Sequence, residues 1–206
     1  MKRLIRYLMY RGFKSLLHIE AHGIENIPDK MPAIIVANHS SYMDIPTMGI
    51  VFNRHIASIN WVVSKENYGH FVLKWLYIVY KPIVVNGTVR KAKAALDRGE
   101  GVLIFPEGAG RWCCLGQEEK IKVGTGAAVI GLTSGAPIVP VRIIGTDKVM
   151  PPRTCKLQPI YTIGVYIGKP FSLDKTDPER MDAEIIDKAN RDIMNRIKEL
   201  APRACG

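Results

Sequence analysis

Two short runs hold the residues best suited to chemistry. The first, Asn38-His39-Ser40-Ser41-Tyr42-Met43-Asp44, follows the apolar run 33–37 (AIIVA) directly. A strand there would leave His39 at its C-terminal end, the edge at which open α/β sheets gather ligands. Pro46 suits an early helical turn, so Asp44 is expected near a helix start, with a loop between it and His39. Such a loop can fold the carboxylate back onto the imidazole. Inside one helix a separation of five residues would leave the two well apart in angle. An aspartate on one ring nitrogen fixes the tautomer and stabilises the imidazolium, which leaves the other nitrogen to take a proton. The same spacing also suits an aspartate that caps a helix and an ordinary loop histidine. The second run, Phe105-Pro106-Glu107-Gly108, follows the apolar run 102–105 (VLIF). Proline and glycine make a tight turn that either aims a carboxylate or N–H groups into a cleft or simply exposes a glutamate.

The surrounding pattern says what must position these runs. Short β-rich segments recur at 33–37, 61–64, 82–85, 102–105 and 138–144, with an alternating segment at 160–167. Helical patterns lie between them, at 46–52, 66–80, 89–98 and 125–134. Continuous apolar strands separated by helices predict an α/β fold: a single domain with a mixed β-sheet flanked by helices. A last helix is expected from Asp177, as cap, through Pro178. Its stripe of Met181, Ile185, Ala189, Ile193, Ile197 and Leu200 faces the core. No internal repeat or linker interrupts the chain.

Composition narrows the class. The chain has 206 residues, 47% apolar and 23% charged, which excludes disordered, collagenous and coiled-coil classes. Cys113, Cys114, Cys155 and Cys205 do not make a disulfide framework, so reduced thiols and an intracellular setting are expected. Neither a signal peptide nor a transmembrane span is expected. The net charge of +10 calls for an acidic partner: nucleic acid, an anionic membrane surface or an anionic substrate. Within residues 1–19, Leu4, Ile5, Leu8, Met9, Phe13 and Leu16 share one arc of a helical wheel. Arg3, Arg6, Arg11 and Lys14 share the opposite arc, with Lys2 at the border. This predicts an amphipathic helix that lies in an anionic membrane interface or packs on its own domain. No nucleic-acid module is present, and nucleic acid is not an expected partner.

The two runs together resemble the glycerolipid acyltransferase family. Asn38, His39 and Asp44 match its NH-x4-D signature, and Phe105 to Gly108 match its FPEG signature. Ile121-Lys122-Val123-Gly124 resembles its apolar-Lys-x-Gly step. The stretches 136–141 and 144–147 resemble its next strand and exit. The similarity covers roughly residues 20 to 170, and residues 20–206 would be the acyltransferase domain. The resemblance implies transfer of an acyl group from acyl-CoA or acyl carrier protein to a lysophospholipid hydroxyl, with 1-acyl-sn-glycerol-3-phosphate as leading acceptor. His39 would be the general base and Asp44 its orienting partner. Glu107 and Gly108 would bind or position substrate. No cofactor is implied beyond the thioester co-substrate, and no metal. The expected location is the cytoplasmic face of a membrane, held peripherally.

Two departures bear on the acceptor. The family usually has Thr-Arg after Glu-Gly, where this chain has Ala109-Gly110 and then Arg111. The family's second block usually ends in an Asp-Arg-like pair, where this chain has Asn86-Gly87 and a first cation at Arg90. Arg111, Lys122 and Arg90 are the candidates to replace those arginines on an acceptor phosphate, or are solvated surface cations. A different lysolipid or an amine-lipid is the alternative acceptor, and a non-catalytic lipid-binding protein the alternative class. The aromatic-rich segment 68–80 would be a buried helix, the lining of an acyl groove or a segment at the membrane interface. His18 and His22 would share a helix face, where two imidazoles can meet a metal, although no third ligand is evident.

Overall fold

The sheet follows from side chains that alternate between two buried faces. The computed structural model describes residues 2–63, 81–84, 87–108, 123–151, 156–158 and 160–200. Among these, seven strands form one sheet: β1 (His18–His22), β2 (Ile34–Ala37), β3 (Ile59–Val63), β4 (Lys81–Val84), β5 (Gly101–Ile104), β6 (Ile138–Ile144) and β7 (Thr162–Ile167). Their order is β1-β7-β6-β2-β5-β3-β4. Every neighbouring pair is parallel except β6 and β7, so the sheet is mixed, as expected.

Six helices flank the sheet among the described residues: α1 (Lys2–Leu16), α2 (Asp44–Val51), α3 (Thr88–Asp97), α4 (Gly126–Ser134), α5 (Thr146–Val149) and α6 (Ala183–Glu199). On one face Ile35 and Ala37 of β2 and Leu103 of β5 pack with Met48 and Phe52 of the α2 region and with Ile5, Met9 and Phe13 of α1. On the other, Ile34, Val36, Val102 and Ile104 pack with α3, α4 and α6. Central strands buried on both faces read as unbroken apolar runs, which is why 33–37 and 102–105 were legible. Truncating Ile35, fully buried here, to alanine would cost about 2–5 kcal/mol.

The sheet's winding prepares a crevice. β2 and β5 are parallel neighbours, but the helix after β2 (α2) lies on the first face and the next described helix after β5 (α4) on the second. Exits that diverge to opposite faces leave a gap beyond the strands' carboxyl ends.

Three local expectations are corrected. The first helix stops at Leu16 rather than running to residue 19, and His18–His22 is the edge strand β1. Ile19 and Ala21 turn inward while His18, Glu20 and His22 are exposed, a period of two that suits a strand beside β7. Side chains four apart on a strand start about 13 Å from one another, too far to share an ion. Among the described residues no cluster of His, Cys, Asp or Glu suits a metal. The last helix also starts later than expected. Pro178–Arg180 is a separate 3-10 turn, and Asp177 makes no side-chain cap bond there. Asp182 is the cap of α6, its side chain accepting the Ile185 N–H at 2.8 Å. The core-facing stripe of Ala189, Ile193 and Ile197 stands as read. The segment 68–80 and the four cysteines lie outside the described residues. No helix among the described residues is long and apolar enough to cross a membrane.

Candidate active site

The loop leaving β2 closes on a single carboxylate oxygen. Asp44 is the first residue of α2, where the helix's partial positive charge favours an anion. Its Oδ2 lies 2.7 Å from His39 Nδ1. The same oxygen accepts the backbone N–H groups of Ser40 at 2.7 Å and Ser41 at 2.9 Å. Asp44 is fully buried, and its Oδ1 has no hydrogen-bond partner. A carboxylate only accepts, so the contact suits a ring hydrogen on Nδ1, and in that tautomer of the neutral ring Nε2 is the basic nitrogen. Ser41 Oγ ties the loop to the end of α5 by donating to the Met150 carbonyl at 2.8 Å.

Asn38 anchors the other end of this loop. It comes immediately after β2, where the backbone leaves the ladder with β6. Its side chain replaces the lost pairing: Nδ2 donates to the Ile143 carbonyl at 2.8 Å, and Oδ1 accepts the Ile143 N–H at 2.7 Å. Such a two-point amide lock sets where His39 begins. It was quoted in the sequence as part of a motif but carried no role there. An amide directly after a buried strand was the signal.

The turn leaving β5 reaches the same place. β2 and β5 pair Ile34 with Val102 and Val36 with Ile104. Continuing that register past the strands sets His39 level with Glu107. Glu107 is buried, and its Oε2 accepts the His39 N–H at 3.2 Å. The Phe105 ring stacks on the His39 imidazole, with centroids 4.3 Å apart and planes 20° from parallel. Gly108 turns the chain at φ 53°, a conformation that favours glycine, and its N–H donates to the Phe105 carbonyl at 3.0 Å. Gly124 braces the turn from the far side, its N–H donating to the Pro106 carbonyl at 2.8 Å.

The structure therefore brings His39, Asp44 and Glu107 together, with Gly108 in the adjoining turn. Arg90 is exposed in the first turn of α3 and lines an open cavity of about 780 Å³ with Lys93, Thr133 and Lys175. His39, Asp44 and Glu107 do not line that cavity. Arg111 and Lys122 lie outside the described residues.

Chemically, the arrangement is a buried imidazole held by a carboxylate at the carboxyl ends of two parallel strands. It can accept a proton at Nε2 while Asp44 stabilises the resulting cation. The N–H groups of residues 39, 40 and 41 all point to carboxylates, so this loop does not offer them to a substrate oxyanion.

Comparison with known proteins bears on the family and the fold. The family model described as Acyltransferase matches residues 18–144. A chloroplastic 1-acyl-sn-glycerol-3-phosphate acyltransferase of Arabidopsis thaliana is 29% identical over 177 residues, covering 77% of this chain and 45% of that protein. A 1-acyl-sn-glycerol-3-phosphate acyltransferase of Pseudomonas aeruginosa is 25% identical over 195 residues, covering 90% of this chain and 71% of that one. The chain spans a little under half the length of the chloroplastic relatives. The crystal structure of the LPA acyltransferase PlsC from Thermotoga maritima shares the fold, with a TM-score of 0.67 at 23% identity. That match covers 100% of this chain and 81% of the other.

Proposed function

The chain belongs to the acyltransferase family, whose model matches more than half of it, and from that premise we propose that it moves a fatty acyl group from a thioester to the hydroxyl of 1-acyl-sn-glycerol-3-phosphate, giving phosphatidic acid. The observation that carries this reading is the His39–Asp44 contact of 2.7 Å, set level with Glu107 across two parallel strands. His39 Nε2 takes the proton from the acceptor hydroxyl as its oxygen attacks the thioester carbonyl. A C–O bond forms, and collapse of the tetrahedral centre breaks the C–S bond. The departing thiolate of CoA or acyl carrier protein takes the proton back from the imidazolium. Asp44 holds the ring throughout and offsets its transient charge. Glu107 serves through the His39 main chain, and no covalent acyl-enzyme is required.

A second acceptor class has its own support. Ala109-Gly110 and Asn86-Gly87 stand where the family usually carries its phosphate-binding arginines. A lysolipid with another headgroup, or an amine-lipid, suits that change. Membrane association is part of the proposal, because Leu4, Tyr7 and Leu8 of α1 stay exposed while Ile5, Met9 and Phe13 pack inward. That exposed strip beside the basic face fits a peripheral contact with anionic lipid.

The test is thiol release from acyl-CoA or acyl carrier protein, measured across a panel of lysolipid acceptors. His39→Ala should lower the rate about 10⁴-fold while leaving vesicle binding unchanged. Equal thiol release by wild type and variant would remove the catalytic role.

A further inference from the structure

We propose that the sheet edge carrying the crevice is itself a lipid-contact surface, in which the connection between β6 and β7 touches anionic lipid at a point distinct from α1. This rests on the lipid chemistry proposed above for the site.

The distribution of exposed apolar side chains is lopsided. Among the described residues, the large exposed ones outside α1 are Ile144, Leu157, Ile160, Tyr161 and Ile24. The first four gather at one place. β7 runs antiparallel to β6, so its start lies beside the end of β6, with Ile144 paired to Gly164. The intervening chain is tied to the site loop in two steps. The Gln158 N–H donates to the Val149 carbonyl at 2.6 Å, and the adjacent Met150 carbonyl accepts from Ser41 Oγ at 2.8 Å. Ser41 in turn lies two residues from His39. Ile24 sits at the opposite edge, just past β1, where Asn26 Nδ2 bonds the carbonyl of Ile167 at the end of β7.

The chemistry of this patch selects lipid. Ile160 is 79% exposed and followed by Tyr161, an amphipathic ring suited to the headgroup level. Lys148 and Lys156 are exposed beside them. Protruding apolar groups among lysines, on a chain of net charge +10, match an anionic bilayer interface. Docked this way, the carboxyl ends of β2 and β5 face the interface, and a lysolipid hydroxyl reaches His39 without leaving it.

The experiment is co-sedimentation of the full chain with phosphatidylcholine vesicles, with and without phosphatidylglycerol. Ile160→Asp should weaken partitioning about tenfold. The double variant Lys148→Glu with Lys156→Glu should weaken it more than tenfold, on the anionic vesicles only. Ile24→Asp, equally a surface isoleucine, should bind as wild type. Ile160→Ser repeats the test should the aspartate variant fail to melt cooperatively. Wild-type-like binding by the Ile160 variants, an equal loss in Ile24→Asp, or no vesicle binding by the wild type overturns the proposal. Loss of binding as expected, with no acyl transfer by the wild type, would keep this surface and discard the proposed reaction. Acyl transfer with neutral Ile160 variants would do the reverse.

Discussion

The loop leaving β2 and the turn leaving β5 sit side by side at the same height of the sheet, and each supplies a buried carboxylate, yet the two carboxylates hold different things. Asp44 works locally. One of its oxygens gathers the imidazole and two N–H groups from the five residues before it. Glu107 works across strands, reaching the main chain of His39 from 68 residues away. The first carboxylate touches the imidazole ring; the second accepts from the backbone N–H on which the ring is mounted. The comparison teaches that two buried acids at neighbouring strand ends need not be an acid and a base. Here both act on a single histidine, one through its ring and one through its peptide.

Variants can break this distinction. The largest effect should come from Asp44→Asn, in which the amide no longer demands the Nδ1–H tautomer and no longer offsets the imidazolium. Turnover should fall about 10³-fold, with the acceptor KM little changed, as measured by initial rates over acceptor concentration. A loss confined to KM would mean that Asp44 binds substrate instead. Glu107→Gln should be milder, because an amide oxygen still accepts from the His39 N–H. About a tenfold fall in kcat is expected, since charge-assisted bonds are roughly twice as strong as neutral ones. If the acceptor KM rises instead while kcat holds, Glu107 touches substrate and the contrast with Asp44 dissolves. The smallest effect belongs to Phe105→Leu, which keeps the apolar volume but removes the π face from the imidazole. A fall of about threefold in kcat is expected, with recovery in Phe105→Tyr. Absence of recovery would reduce the stacking to packing alone.

α1 and α6 show why periodicity alone stops short of such distinctions. Both present an apolar stripe to a reader of the sequence. In α6 the stripe is covered, because the helix lies against β2, β6 and α4. In α1 it divides: Ile5, Met9 and Phe13 reach the core, while Leu4, Tyr7 and Leu8 do not. A helical wheel reports an angle and is silent about which neighbour arrives. For the same reason the strand at 18–22 was hidden behind a helical reading, since five residues beside an amphipathic helix fit either period until β7 is there to pair with them.

What the residues themselves determined is local. The apolar runs specified the central strands, because both of their faces must be buried. The motifs around His39, Asp44 and the FPEG run pointed to the candidate groups through the family they resemble, while the spacing by itself suited a helix cap and a loop histidine equally well. The tertiary structure alone decided the rest. The strand order that makes β2 and β5 neighbours, the opposite faces taken by α2 and α4, and the register that levels His39 with Glu107 all depend on contacts between distant segments. Hydrogen-bond pairing between strands is set by which segments meet, and no pattern within one segment encodes its partner.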